Sequence, residues 1–411
     1  MTVLASAAIT MIGFYLKNER TVLNAQEFGF IHHIRFSFEV VLAMIVLAFL
    51  LASNQLHFRR TGKIVVLGSL LFLFLFLIWN QSFTGLVAFL GTAFVGVLLL
   101  VSKLQNRRMK LVAWAGMSVL VLAPVLYLSY SVHKFYTIDR VDFDHLDQTT
   151  ALGHQYTHHL KDKHIENGHY VGLYWCEPEM RDTWNNRAET KYDSIGANGY
   201  EVKYTLIRYL TSKNLRKDAT GVNQLSGNDI QNIEAGISNY ILANKGLSLY
   251  PRIYVSIWEL DNYFKTGDAN QQSISQRIEF VKAALTIIKD HFWLGVGTGN
   301  WEAAYREAYQ KNKSKMDPAR YGNAHNQYLN YMVKFGLVGL LWILFAIVYP
   351  VVKTESYRNP VFLLFLVTMF IANFGDSNFE THVGGSLFAL IYCLFVSTSN
   401  WKIQLDPHSN P

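Results

Sequence analysis

The chain has 411 residues, of which 51% are hydrophobic, 14% aromatic and only 16% charged, well short of the roughly one-quarter charged share of soluble domains. Its formal charge of +7 is carried largely by short connectors between apolar runs, which points to membrane topology and away from a nucleic-acid partner. Two cysteines, Cys176 and Cys393, exclude a disulfide framework.

The first apolar run is 2–16. It has no basic leader and no small-residue cleavage site, so it reads as a retained helix and not a signal peptide. Runs at 36–53, 64–80, 83–101 and 111–130 follow, and after residue 325 come 327–352, 361–374 and 382–398. Most are close to the roughly 20 residues that a helix needs to cross a bilayer. Backbone amides in lipid must be paired within the segment, and no period-two alternation signals a barrel, so the runs predict helices. The expected fold is an all-α polytopic membrane protein of about eight transmembrane helices with one large, mainly helical extracytoplasmic loop.

Sidedness follows from the connectors. Arg59, Arg60 and Lys63 lie in 54–63; Lys103, Arg107, Arg108 and Lys110 lie in 102–110; Lys353 and Arg358 lie in 353–360. Short Lys/Arg-rich loops stay in the cytoplasm. The turns 80–84 and 375–381 lack Lys and Arg and fall on the other side, with 17–35 and the long loop. The resulting division is 1–130 for the N-terminal membrane helices, about five of them, and 131–325 for a periplasmic loop domain. The three C-terminal membrane helices take 326–400, and 401–411 is a cytoplasmic tail.

Within the loop, helical spacing marks 201–213, 227–241 with Asn228 or Asp229 as N-cap, 250–264 with Pro251 in the first turn, 273–291 with a serine cap, and 300–312. The stretch 139–200 is rich in His, Tyr, Trp and Asp and gives no clear pattern. Its histidines, His154, His158, His159, His164 and His169, lack any metal-site spacing, so no metal is expected. The turn 295–300, GVGTGN, has no strand before it and no Lys-Ser/Thr after it, so it is a return to the membrane and not a phosphate loop.

The sharpest chemical signal is His325-Asn326-Gln327 at the head of the sixth apolar run. A histidine at a helix N-terminus, with Asn323 as a possible cap, sits beside free N–H groups and partial positive charge. That setting suits a neutral imidazole that accepts a proton next to a bound anion; a purely interfacial histidine is the competing reading. Gly336 and Gly339 form a small-residue face open to a neighbouring helix. Arg35, Arg252 and Arg277 are candidates to hold a diphosphate through the guanidinium fork, or else are ordinary interfacial arginines. Asp376, Glu380 and His382 share the external turn GDSNFETH, where they bind an acceptor hydroxyl, hold an arginine, or are simply solvated.

His325-Asn326, nine residues, then Gly336-Leu-Val-Gly339 resembles the signature of O-antigen ligases and the wider Wzy/ligase superfamily. SQRIEFVKAALTIIKDHFWLGVGTGNW, NFETHVGGSLFALIYCLF, HIRFS and QSFTG are similar to other segments of Bacteroidetes-type members. The resemblance implies an inverting, metal-independent and cofactor-free glycosyl transfer at the periplasmic face of the inner membrane. The donor would be an undecaprenyl-diphosphate-linked glycan and the acceptor a hydroxyl of lipid A-core or another molecule. It assigns His325 to acceptor activation and Arg35 and Arg277 to the diphosphate; Arg252, Asn326, Gln327 and Glu380 are expected to line the substrate. A polysaccharide polymerase and a protein O-oligosaccharyltransferase share that chemistry, and a transporter or assembly scaffold is the non-enzymatic alternative. Two features depart from the family pattern: eight helices against its usual ten to twelve, and a QSFTG turn without the arginine that many relatives carry there.

Overall fold

The computed structural model describes residues 2–16, 33–53, 59–162, 164–243 and 248–398. The expected external segment 17–35 lies mostly, and the tail 401–411 wholly, outside the described residues. The described chain is mostly helical, with almost no sheet. Its helices are α1 (Thr2–Leu16), α2 (His33–Ser53), α3 (Arg60–Trp79), α4 (Phe83–Lys103), α5 (Arg107–Tyr136), α6 (Glu177–Arg187), α7 (Val202–Ser212), α8 (Ala219–Asn223) and α9 (Gly227–Glu234). They continue with α10 (Tyr250–Thr266), α11 (Ser273–Asp290), α12 (Trp301–Lys311), α13 (Gln327–Lys353), α14 (Pro360–Gly375) and α15 (His382–Thr398). A minimal hairpin pairs β1 (Ile165–Glu166) with β2 (His169–Tyr170).

Five helices, α2 to α5 and α13, are long and apolar enough to cross a membrane; α1, α14 and α15 are shorter apolar helices. Much of their large apolar surface stays uncovered by protein, including Leu111, Val112, Leu126, Leu341, Trp342 and Leu390. A chain in water does not leave such continuous apolar faces bare, so lipid is their solvent.

The described residues divide into two compact units, and the boundary falls inside α10, between 257 and 258. One unit contains 34–124 and 258–398, so α11 and α12 group with the apolar helices and not with the rest of the loop. In it α14 packs on α4 and α2. Small residues set the distance: a Cβ on Gly85 would lie 2.3 Å from Ser37 Cβ, and one on Gly91 2.3 Å from Ile371 Cδ1. Thr92 and Thr368 hydroxyls bond across the same contact at 2.8 Å. A second core joins Phe280, Ala284 and Ile287 of α11 to Tyr305 and Tyr309 of α12 and Val333 of α13.

The other unit, 125–257, has its own core of Met180, Trp184, Tyr192, Leu206, Leu210 and Ile233. The helix starts depart from expectation. Ser226, not Asn228 or Asp229, caps α9, forming a capping box with Asp229. Gln272 precedes α11 without a side-chain cap, so Ser273 does not serve as one. The stretch 139–200 yields α6 and the hairpin.

Candidate functional site

His325 stands two residues ahead of α13 in a left-handed conformation, φ 43°. Asn326, not Asn323, caps the helix: its Oδ1 accepts from the Tyr328 and Leu329 amides, both at 3.0 Å. Asn323 instead accepts the His325 amide at 3.1 Å. The His325 ring lies against Phe280 of α11, centroids 5.6 Å apart, and Nδ1 faces Asp376 Oδ1 at 3.4 Å.

Asp376, one of three candidates in the external turn, is the one that meets His325. It follows α14 and is 8% exposed. Burial on its own raises a carboxyl pKa. Here the hydrogen bonds from His325 and the Ser377 amide, with the charges of His325 and Arg35, outweigh burial and hold Asp376 below its ordinary value. The Asp376 carboxylate meets the His325 ring at Nδ1, and Nε2 is the ring nitrogen outside that contact.

The arginines divide. Arg35 lies inside the first turn of α2, not outside the helix, and its charge reaches Asp376. Its Nε is buried with no hydrogen-bond partner. Arg277 of α11 donates from Nη1 to the Gly375 carbonyl at 3.0 Å, one residue from Asp376. Arg252 belongs to the 125–257 unit and is not part of this group.

The remaining expected residues hold the turn. Asn326 Nδ2 donates to the Phe374 carbonyl at 3.1 Å. Gln327, fully buried, accepts the Phe379 amide at 3.0 Å and donates to Glu380 at 3.2 Å. Glu380 is also ion-paired with Lys334 at 2.9 Å, which engages the carboxylate expected to meet substrate. Asn330, missed by sequence reasoning, donates to Ser377 at 2.7 Å. Its only sequence signal is polarity one turn after Gln327 in an apolar helix.

Gly336 departs from the expected role. At φ 61°, ψ −169° it interrupts α13, a conformation nearly exclusive to glycine. A Cβ there would lie 2.3 Å from the Trp293 carbonyl group, so loop backbone, not a neighbouring helix, occupies the space. A Cβ on Gly339 would meet only Phe335 of its own helix.

Residues 223–344 match the family model described as O-antigen ligase. Over that stretch the chain is similar to O-antigen ligases. The match takes in Arg252, Arg277, His325 and the Gly336–Gly339 signature; Arg35, Asp376 and Glu380 lie outside it. No curated protein and no solved structure matches the chain. The matched stretch takes in 122 of the 411 residues, and over it the chain is similar to membrane glycan ligases and polymerases.

Two features lie apart from the O-antigen ligase signature, in the 125–257 unit. A cavity of about 460 Å³ is lined by Lys134, Asn167, Tyr240, Tyr250 and Tyr254. His154, Cys176 and Glu179 bring donor atoms within 4.8 Å of one another. Of the three, Glu179 already accepts from Thr150, from His154 and from the Ala219 amide.

Proposed function

We propose that the protein transfers a glycan from undecaprenyl diphosphate to an acceptor hydroxyl, of lipid A-core or an equivalent molecule, at the periplasmic face of the inner membrane. The observation that carries this reading is the His325–Asp376 pair, with Arg277 and the unsatisfied Nε of Arg35 beside it.

The acceptor O–H gives its proton to His325 Nε2. Its oxygen attacks the anomeric carbon from the face opposite the diphosphate, and the bond from that carbon to the diphosphate oxygen breaks. The configuration inverts, and undecaprenyl diphosphate leaves with the electron pair. Asp376 stabilises the imidazolium formed during attack. Arg35 and Arg277 offset the charge that grows on the leaving diphosphate, a preorganised role that needs no metal. Asn326, Gln327 and Glu380 act by holding the 374–380 turn against α13.

Positioned general-base catalysis contributes about 10²–10⁴-fold. The test is transfer from lipid-linked glycan in membranes bearing His325→Ala, with insertion checked in parallel. Loss of transfer with free lipid-linked polymer accumulating supports a ligase; shortened chains indicate a polymerase; glycan missing from protein indicates an oligosaccharyltransferase. Unchanged transfer by a correctly inserted variant excludes His325 as the base. A transporter is disfavoured because the centres of the apolar runs are almost free of charge and the candidate residues sit at helix ends.

A further inference from the structure

Phe292, Trp293 and Leu294, which link α11 to α12, form an exposed apolar tip: 42%, 64% and 74% of their surfaces are uncovered. Three successive large apolar residues on a loop are costly in water. The backbone around them is bonded to the interruption in α13. The Leu337 amide donates to the Phe292 carbonyl at 2.8 Å, and that of Val338 to the Trp293 carbonyl at 3.2 Å. In return, the Val296 amide donates to the Val333 carbonyl at 2.8 Å, and that of Gly297 to the Lys334 carbonyl at 2.9 Å. The conformation of Gly336 frees these α13 groups, and the loop takes them up.

This pairing fixes the level of the tip. Gly336 is nine residues past the first residue of α13, which is about 13 Å along the helix axis at ~1.5 Å per residue. Lys334, ion-paired to Glu380 and lying over the Trp301 ring, marks the polar side of the break. Val338, Leu341, Trp342 and Phe345, all more than half exposed, mark the apolar side. A loop bonded to 333–338 therefore sits where the helix passes from polar to apolar surroundings. Irregular backbone is tolerated at such a depth only where its polar groups are paired, as these are.

We propose that Phe292–Trp293–Leu294 is a wedge inserted among the acyl chains of the leaflet on the His325 side, and that lipid is its partner. The inference rests on the membrane-crossing character of α13 and is independent of the transferase reading. Tryptophan at this level matches its preference for the boundary between headgroups and hydrocarbon.

The test uses the full chain in phospholipid nanodiscs, with Cys176→Ser and Cys393→Ser as background. Leu294→Cys carries a nitroxide, and Lys311→Cys on α12 serves as the water-exposed control. Oxygen collisions should exceed those with a water-soluble nickel chelate several-fold at 294, with the order reversed at 311. Access by the nickel chelate at 294 overturns the proposal, as does exclusion of both reagents, which would mean cover by protein. Native tryptophan fluorescence guards against a misfolded cysteine variant. Shallow doxyl-labelled lipid should quench the native chain more than Trp293→Phe, and equal quenching overturns the proposal.

Discussion

At His325 a left-handed backbone, the Asn323 contact and the meeting of Nδ1 with Asp376 occur together. If the pair acts as a unit, its members lose activity together and not additively. Asp376→Asn should lower transfer by up to the same ~10²–10⁴-fold as His325→Ala, and the double variant should be no slower than the slower single one. Rates in membranes at matched protein levels check this; additive losses would mean that Asp376 acts elsewhere. Because the Asp376 carboxyl lies below its ordinary value in the fold, its support of the ring is present above that value and disappears as pH falls through the folded one. The site was half legible in the sequence. A histidine at the head of an apolar run stands out by position alone. Asp376 is 51 residues away, and no spacing rule links the residues of two separate turns. Glu380 looked equally available in the sequence, and only the fold shows Lys334 and Gln327 engaging it.

At the scale of elements, apolar length carried most of the information. The runs at 64–80, 83–101, 327–352 and 382–398 became α3, α4, α13 and α15 with ends shifted by a few residues, because lipid leaves a helix little choice. Loop helices were legible in their bodies but not at their caps, where Ser, Asn and Asp compete on nearly equal terms. The interruption at Gly336 was hidden, since a glycine in an apolar helix looks the same whether it packs or breaks. Gly336→Ala should displace the 292–297 backbone and lower the thermal midpoint in detergent. Gly68→Ala on α3, where an added Cβ meets nothing within 4 Å, should leave the midpoint unchanged or raise it slightly. Equal midpoints for the two variants would remove the strained role of Gly336. The capping box of α9 gives a second test. Burial opposes ionisation of Asp229, but hydrogen bonds from Lys213, Tyr209 and Ser226 lower its pKa from 3.8 to about 2. That difference is worth about 2 kcal/mol, present above pH 4 and lost as pH falls toward 2. Asp229→Asn should therefore destabilise the 125–257 unit by about 1–2 kcal/mol at pH 7 and by less near pH 3, read from denaturant midpoints at the two pH values.

For the whole molecule, the basic residues of the short connectors gather at one set of helix ends. Lys103 closes α4, Arg107, Arg108 and Lys110 open α5, Arg59 and Arg60 open α3, and Lys353 closes α13. The constellation of His325, Asp376, Arg35 and Arg277 is built from the opposite ends: the heads of α2 and α13 and the tail of α14. One orientation satisfies both facts. If the basic connectors are held in the cytoplasm, the histidine pair lies on the far side, which is where the proposed transfer requires it. Reporter fusions test this directly. Alkaline phosphatase joined after Asn106 or Glu355 should be inactive, and joined after Gly227 or Ser377 it should be active, with a cytoplasm-active fluorescent reporter giving the reverse. Activity after Asn106 would invert the molecule and place His325 in the cytoplasm. A transferase acting on exported carriers could not work from there, so the same four fusions bear on the fold's orientation and on the chemistry proposed for it.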